Sequence, residues 1–228
     1  MKKKYWILLF AVVLIGDLVG IQLQQKGLQF IFKPLIIPVL FGYLDSQTTS
    51  LTKGICQWIS AALFFSLLGD TLLMFDEKDP IFFMLGLAAF LIAHIFYILF
   101  FYKVRVKEQL RIKPGLGVVV GIYYAALITL LYPHLADMKI PVLVYGLVIS
   151  FMFMLAMHML FIKNISAGKW MMFGALLFVI SDSTLAINKF YKPFEAAGVL
   201  IMLTYGLAQL FIVEGAGCYI TSANKKKL

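Results

Sequence analysis

The sequence predicts an all-α, polytopic membrane protein with eight transmembrane helices, and three observations predict it. Of 228 residues, 62% are hydrophobic and only 14% are charged, which is more apolar surface than one soluble core of this length could bury. Apolar runs of about 20 residues, the length that spans a bilayer, recur along the chain. The basic residues fall between those runs, where positive charge orients a membrane protein. That placement argues against nucleic acid as a partner despite a formal net charge of +9, because no soluble basic face interleaved with aromatics is present.

The first span, about 5–23, follows Lys2–Lys4 and has the basic-then-apolar start of a signal peptide. Asp17 and Gln22 stand where a cleavage site needs small residues, so it reads as an uncleaved span. The second, about 30–45, carries Lys33 and Pro34 near its start. The third, about 54–75, contains "LFFSLLGDTLLMF" (Leu63–Phe75), with a carboxylate, Asp70, in an otherwise lipid-like run. The fourth, about 80–102, opens on Pro80 after the acidic loop "DEKDP". The fifth, about 114–132, opens on Pro114. The sixth, about 139–161, has Pro141 at its start and ends in "FMFMLAMHML". Its methionines read as packing filler and His158 as an interfacial residue. The seventh, about 168–189, carries Asp182, and the eighth, about 195–217, follows Pro193. Proline near a helix start costs little, because the first N–H groups of a helix have no partner there.

The connections are short, so residues 1–228 form one integral membrane domain. With the N-terminus inside, the inner segments (Lys2–Lys4, Lys53, Lys103–Lys113, Lys163–Lys169, Lys225–Lys227) hold fourteen of the 20 lysines and arginines. This bias places both termini in the cytoplasm, and in the inner membrane if the cell is bacterial. A short internal repeat is also present. "LLGDTLLMF" in span three matches "VISDSTLAI" in span seven, and "AHIFYI" in span four matches "AQLFIV" in span eight. An offset of four spans suggests two halves, 1–110 and 111–228, related by an axis along the membrane normal.

Ionisable residues inside a membrane cost ~2.5–3.5 kcal/mol on insertion scales and usually face the protein interior. Asp70 and Asp182 sit roughly 8 and 10 Å below the same membrane boundary, at 1.5 Å of rise per residue. They can meet only if spans three and seven are neighbours. The alternative is purely structural: each carboxylate bonds a nearby hydroxyl, such as Thr71 or Ser183, or pairs with Lys33 or Lys189. Asp17 has no echo in the second half and is expected to matter little. His94 and Tyr97 share a helical face, as do Tyr205 and Gln209 in the repeat counterpart. Together with Ser181 and Asn188 they are candidates to line a cavity with the aspartates, and Lys33 to meet a headgroup at its outer edge. Three histidines without an H-x-x-H pair and two isolated cysteines, Cys56 and Cys218, give no metal site and no disulfide framework. No cofactor-binding motif appears.

The stretches "FKPLIIPVL" (Phe32–Leu40), "SLLGDTLLMF" (Ser66–Phe75), "FLIAHIFY" (Phe90–Tyr97), "LFVISDSTLAINKF" (Leu177–Phe190) and "YGLAQLFIVEG" (Tyr205–Gly215) occur in this order. In them the chain resembles the YhhN family of eight-span membrane proteins, which includes the lysoplasmalogenases. The resemblance implies hydrolysis of the vinyl ether bond of a lysophospholipid drawn from the membrane. The products would be a fatty aldehyde and a glycerophospho-ethanolamine or -choline, with Asp70 and Asp182 as the catalytic pair. The chemistry suits two carboxyls. One protonates the carbon–carbon double bond, and the other stabilises the resulting oxocarbenium ion and orients water. No cofactor is required.

Two other classes use intramembrane acids. An intramembrane aspartyl protease wants G-x-G-D, and Leu67-Leu68-Gly69-Asp70 has only the second glycine. A proton-coupled transporter of a small or amphiphilic substrate would accommodate the acids and the two halves, but it favours Gly/Pro breaks at mid-membrane that these spans lack.

Overall fold

Helices account for every regular element of the computed structural model, which describes residues 3–48 and 54–225, with side chains as far as residue 222. In chain order they are α1 (Lys3–Gln22), α2 (Lys26–Phe32), α3 (Ile36–Gln47), α4 (Cys56–Leu73), α5 (Pro80–Lys107), α6 (Pro114–Leu131), α7 (Lys139–His158), α8 (Ile165–Ala186) and α9 (Ala197–Lys225). Among the described residues, eight stretches are long and apolar enough to cross a membrane, so the chain is a multi-pass membrane protein. Of the basic residues behind the expected orientation, Lys2, Lys53, Lys226 and Lys227 lie outside the described residues.

The second span is longer than expected. It runs from Lys26 to Gln47, not from about residue 30, so Pro34 is interior and not at a start. Proline has no N–H and its ring blocks the preceding turn, so the helix breaks into a 3₁₀ turn at Lys33–Leu35 between α2 and α3. Lys33 stands on that break. Pro80 and Pro114 do open helices, as the first residues of α5 and α6, and Pro141 lies in the first turn of α7, whereas Pro193 lies in the connection ahead of α9. Asp79 accepts a hydrogen bond from the Ile81 amide (2.8 Å) with Pro80 in the first turn of α5, which satisfies one of the free amides there.

The closest helix pairs are α8 with α9 and α4 with α5. Glycines set the first approach. A Cβ on Gly174 would lie 2.8 Å from the Ala208 carbonyl, and one on Gly215 would lie 2.7 Å from the Ala167 carbonyl. Each glycine therefore lets α8 and α9 touch backbone to backbone, as small residues do in lipid. This hairpin carries Asp182 and Tyr205, and the α4–α5 hairpin carries Asp70 and His94. Between them lies an aromatic cluster centred on Phe178, whose ring is 4.7 Å from His94, 5.5 Å from Tyr205 and 6.1 Å from Tyr97. Such edge-to-face contacts fix the angles at which the polar tips emerge. Leu8, Ile15 and Ile122 are exposed and clothe the outside; on a surface surrounded by lipid that costs nothing.

Candidate active site

Asp70 and Asp182 come together. They reach one small cavity from α4 and α8, although their helices are separated in sequence by three others. The cavity measures about 40 Å3, and its other walls include Phe83, Leu87, Phe90, Ser181 and Leu185. A buried water needs ~10–15 Å3, so this is room for water and not for a lipid chain.

Each carboxyl is held by a tyrosine from a different helix. The Tyr205 hydroxyl donates to Asp70 Oδ2 at 2.6 Å, and the Tyr145 hydroxyl of α7 donates to Asp182 Oδ2. The neighbouring hydroxyls do not serve the aspartates. Thr71 donates to the Leu67 carbonyl of its own helix (2.8 Å) and Ser183 to that of Val179. In a helix, Ser and Thr bond back one turn readily, so the sequence neighbour loses to a distant phenol.

His94 is fully buried beside Asp182. Its Nδ1 lies 2.6 Å from the Phe90 carbonyl, which can only accept, so Nδ1 carries the hydrogen. The other nitrogen, Nε2, lies 3.6 Å from Asp182 Oδ2 and has no hydrogen-bond partner among the described residues. One turn deeper, Tyr97 donates to Gln209 Oε1, and Gln209 Nε2 donates to Ser66 Oγ at 3.0 Å. Tyr97 and Gln209 thus form a satisfied layer beneath the cavity and do not line it. Ser181 lines the cavity, with its hydroxyl committed to the Ile201 carbonyl (3.0 Å). Asn188 does not line it: its Oδ1 accepts the Phe194 amide (3.1 Å) in the connection to α9, where the last turn of the seventh span loosens into a π-turn.

Lys33 borders a separate polar hollow of about 350 Å3 at the acidic-loop end, with Lys26, Gln29, Asp76 and Glu77. Leu73 lines both this hollow and the carboxyl cavity, so a single side chain divides them. Lys33 lies within electrostatic reach of Asp70 and of Asp17. Asp17 itself is 0% exposed, and neither oxygen has a hydrogen-bond partner among the described residues. No three His, Cys, Asp or Glu side chains among those residues gather closely enough to hold a metal ion.

Sequence reasoning missed Tyr145. An interior tyrosine on an apolar helix looks like any core aromatic, and only the approach of α7 to α8 turns its hydroxyl toward Asp182. Chemically, the arrangement offers two carboxyls in different settings to whatever bond enters between them. One has a lysine and a phenol nearby, and the other a phenol and an imidazole lone pair.

Among known proteins, the model of the YhhN family matches residues 28–216. The chain is 33% identical over 194 residues to human lysoplasmalogenase TMEM86B, covering 85% of this chain and 77% of that protein. It is 34% identical over 168 residues to human lysoplasmalogenase TMEM86A, covering 69% and 64%. A lysoplasmalogenase of Mycobacterium bovis is 32% identical over 162 residues, covering 70% and 60%. No solved structure matches the chain.

Proposed function

The chain belongs to the YhhN family, and we propose that it is a lysoplasmalogenase-like ether hydrolase. In this reading it cleaves the vinyl ether bond of a lysophospholipid to a fatty aldehyde and a glycerophospho-ethanolamine or -choline. The observation that carries the proposal is the convergence of Asp70 and Asp182 on one water-sized cavity.

Asp182 acts as the acid and Asp70 as the carboxylate. Asp70 has the Lys33 ammonium within electrostatic reach, whereas no cation acts on Asp182 among the described residues, and a phenol and the lone pair of His94 Nε2 are its neighbours. Asp182 gives its proton to the alkene carbon remote from oxygen. The carbon bonded to oxygen becomes an oxocarbenium ion, which the negative charge of Asp70 stabilises at close range. Water adds to that carbon and its proton passes to Asp70, giving a hemiacetal. The hemiacetal collapses as Asp70 returns the proton to the glycerol oxygen and Asp182 takes the hydroxyl proton. Aldehyde and alcohol leave, and both carboxyls are restored with no net proton used. The roles parallel the paired carboxyls of glycosidases.

Lys33 suits a phosphate at the mouth of the polar hollow, one leucine away from the reacting bond. The lysine and arginine bias supports both termini inside and the acidic loop outside, in the inner membrane if the cell is bacterial. The pairing of α4 with α5 and of α8 with α9, each carrying one aspartate, supports a two-half architecture.

The test is aldehyde release by the purified protein in detergent, from an alkenyl lysolipid and from its saturated-ether and acyl counterparts. We expect aldehyde from the alkenyl lipid alone. No release from it, together with substrate movement only in sealed vesicles, would instead identify a transporter.

A further inference from the structure

A second hollow adjoins the carboxyl cavity and shares no lining residue with the hollow at Lys33. At the acidic-loop end, α5 and α7 part to leave a groove of about 290 Å3. Leu87, Ala88 and Leu91 of α5 face Ile140, Val144 and Tyr145 of α7 across it. Tyr145 supplies the one polar group of this lining, and its hydroxyl is turned away to Asp182. The mouth opens sideways between exposed side chains: Ile140 is 75% exposed and Val144 44%.

Leu87 and Tyr145 line both the groove and the carboxyl cavity. Three hollows therefore stand in a row. A polar one shares the wall residue Leu73 with the carboxyl cavity, and the carboxyl cavity shares the wall residues Leu87 and Tyr145 with an apolar one. An amphiphile with its polar end at Lys33 and its chain in the apolar groove displaces the Leu73 and Leu87 side chains and puts the junction of headgroup and chain between the carboxyls.

We infer that the groove between α5 and α7 is the binding site for the single aliphatic chain of the substrate, which reaches it sideways from the lipid leaflet at the acidic-loop end. This rests on the lipid-ether reading above. A chain leaving lipid for this groove exchanges one apolar setting for another, so little affinity comes from burial. The groove's effect is on position. It holds the chain so that the double bond lies at the carboxyls, and misplacement of about 1 Å can cost a hundredfold in rate. Tyr145 links the two, since the ring that walls the groove carries the hydroxyl that holds Asp182.

Ala88 lies at the open flank of the groove, where a large side chain fills space without entering the core. The experiment compares kcat/KM for a long-chain alkenyl glycerophosphoethanolamine with that for its propenyl counterpart. Ala88→Trp is expected to lower the long-to-short ratio by about tenfold or more, and Ala88→Leu by less. Val118→Trp, on the lipid-facing side of α6 and 62% exposed, is expected to leave the ratio unchanged. An unchanged ratio in a folded Ala88→Trp protein overturns the inference. A second measurement does not depend on turnover. A saturated-ether lysolipid with a diazirine in its chain is photolysed on the wild-type protein, and the labelled peptides are mapped. Label concentrated on 84–91 and 140–145 supports the chain site, even if the wild type cleaves neither alkenyl lipid, in which case the vinyl-ether reading alone falls. Label spread evenly over all lipid-facing helices overturns the chain site.

Discussion

Two buried histidines, His94 midway along α5 and His158 at the end of α7, show how differently this protein treats the same side chain. Both donate from Nδ1 to the carbonyl one turn back: His94 to Phe90 (2.6 Å) and His158 to Met154 (2.8 Å). His158 then accepts the Lys113 amide on Nε2 at 3.1 Å, so both nitrogens are satisfied. Expected at the interface, it is 1% exposed and ties a loop to α7. His94 leaves Nε2 unpartnered, 3.6 Å from a carboxyl.

The carboxylates repeat the contrast. At the basic end, Glu214 accepts from Lys3 and Tyr43, and Glu108 accepts from Tyr219 (3.1 Å) and the Lys163 amide (3.3 Å). At the acidic-loop end Asp70 and Asp182 face a cavity, and Asp17 has no hydrogen-bond partner among the described residues. Size alone would mislead here. A hollow of about 500 Å3 lies at the basic end, but it holds no carboxyl, and Asn164 on its wall bonds Ser222 (3.2 Å). Two carboxyls from different helices that share one small buried cavity are the better guide to chemistry, because a buried carboxyl is costly.

The largest effect that would break this contrast belongs to the two aspartates. Asp70→Asn and Asp182→Asn should each lower the initial rate of aldehyde production by about 10²–10⁴-fold, because Asn can neither give up nor hold the proton. Thermal unfolding should stay near the parent's. If both variants keep more than about a tenth of the parent rate, the carboxyls are structural or serve transport.

Next are the histidines. His94→Gln should lower kcat by up to about a hundredfold through misplacement of Asp182, with a small change in thermal stability. His158→Gln should do the reverse. Equal rate losses in the two variants would erase the distinction. Glu214→Ala should lower stability by about 1–3 kcal/mol, since the buried Tyr43 hydroxyl loses its acceptor. The rate per folded molecule should hold, as activity normalised to folded protein would show. The smallest effect is expected of Asp17→Asn: a rate within roughly twofold of the parent and an unfolding temperature equal or higher, because an unpartnered buried carboxyl is relieved. A large rate loss there would add Asp17 to the site.

Much of the fold was legible in the sequence because hydrocarbon imposes a simple rule: backbone polar groups must be satisfied within each segment. Apolar runs of the right length therefore had to be helices, and all eight are present. The same rule made carboxylates within spans conspicuous, which singled out Asp70 and Asp182. Pro34 was harder to place, because a proline near a span boundary reads the same whether it starts a helix or interrupts one. Only the extra turn of α2 before it decided that.

Tertiary structure alone decided which helices meet. Tyr145 became a partner of Asp182, and Asn188 fell outside the cavity, through helix packing that no local pattern encodes. The same packing separated Lys33 from the carboxyls by one leucine and opened a groove between α5 and α7. Segment length and polarity are properties of neighbours in the chain. The line of three hollows depends on contacts between residues far apart in sequence, set by close backbone approach at positions such as Gly174 and Gly215.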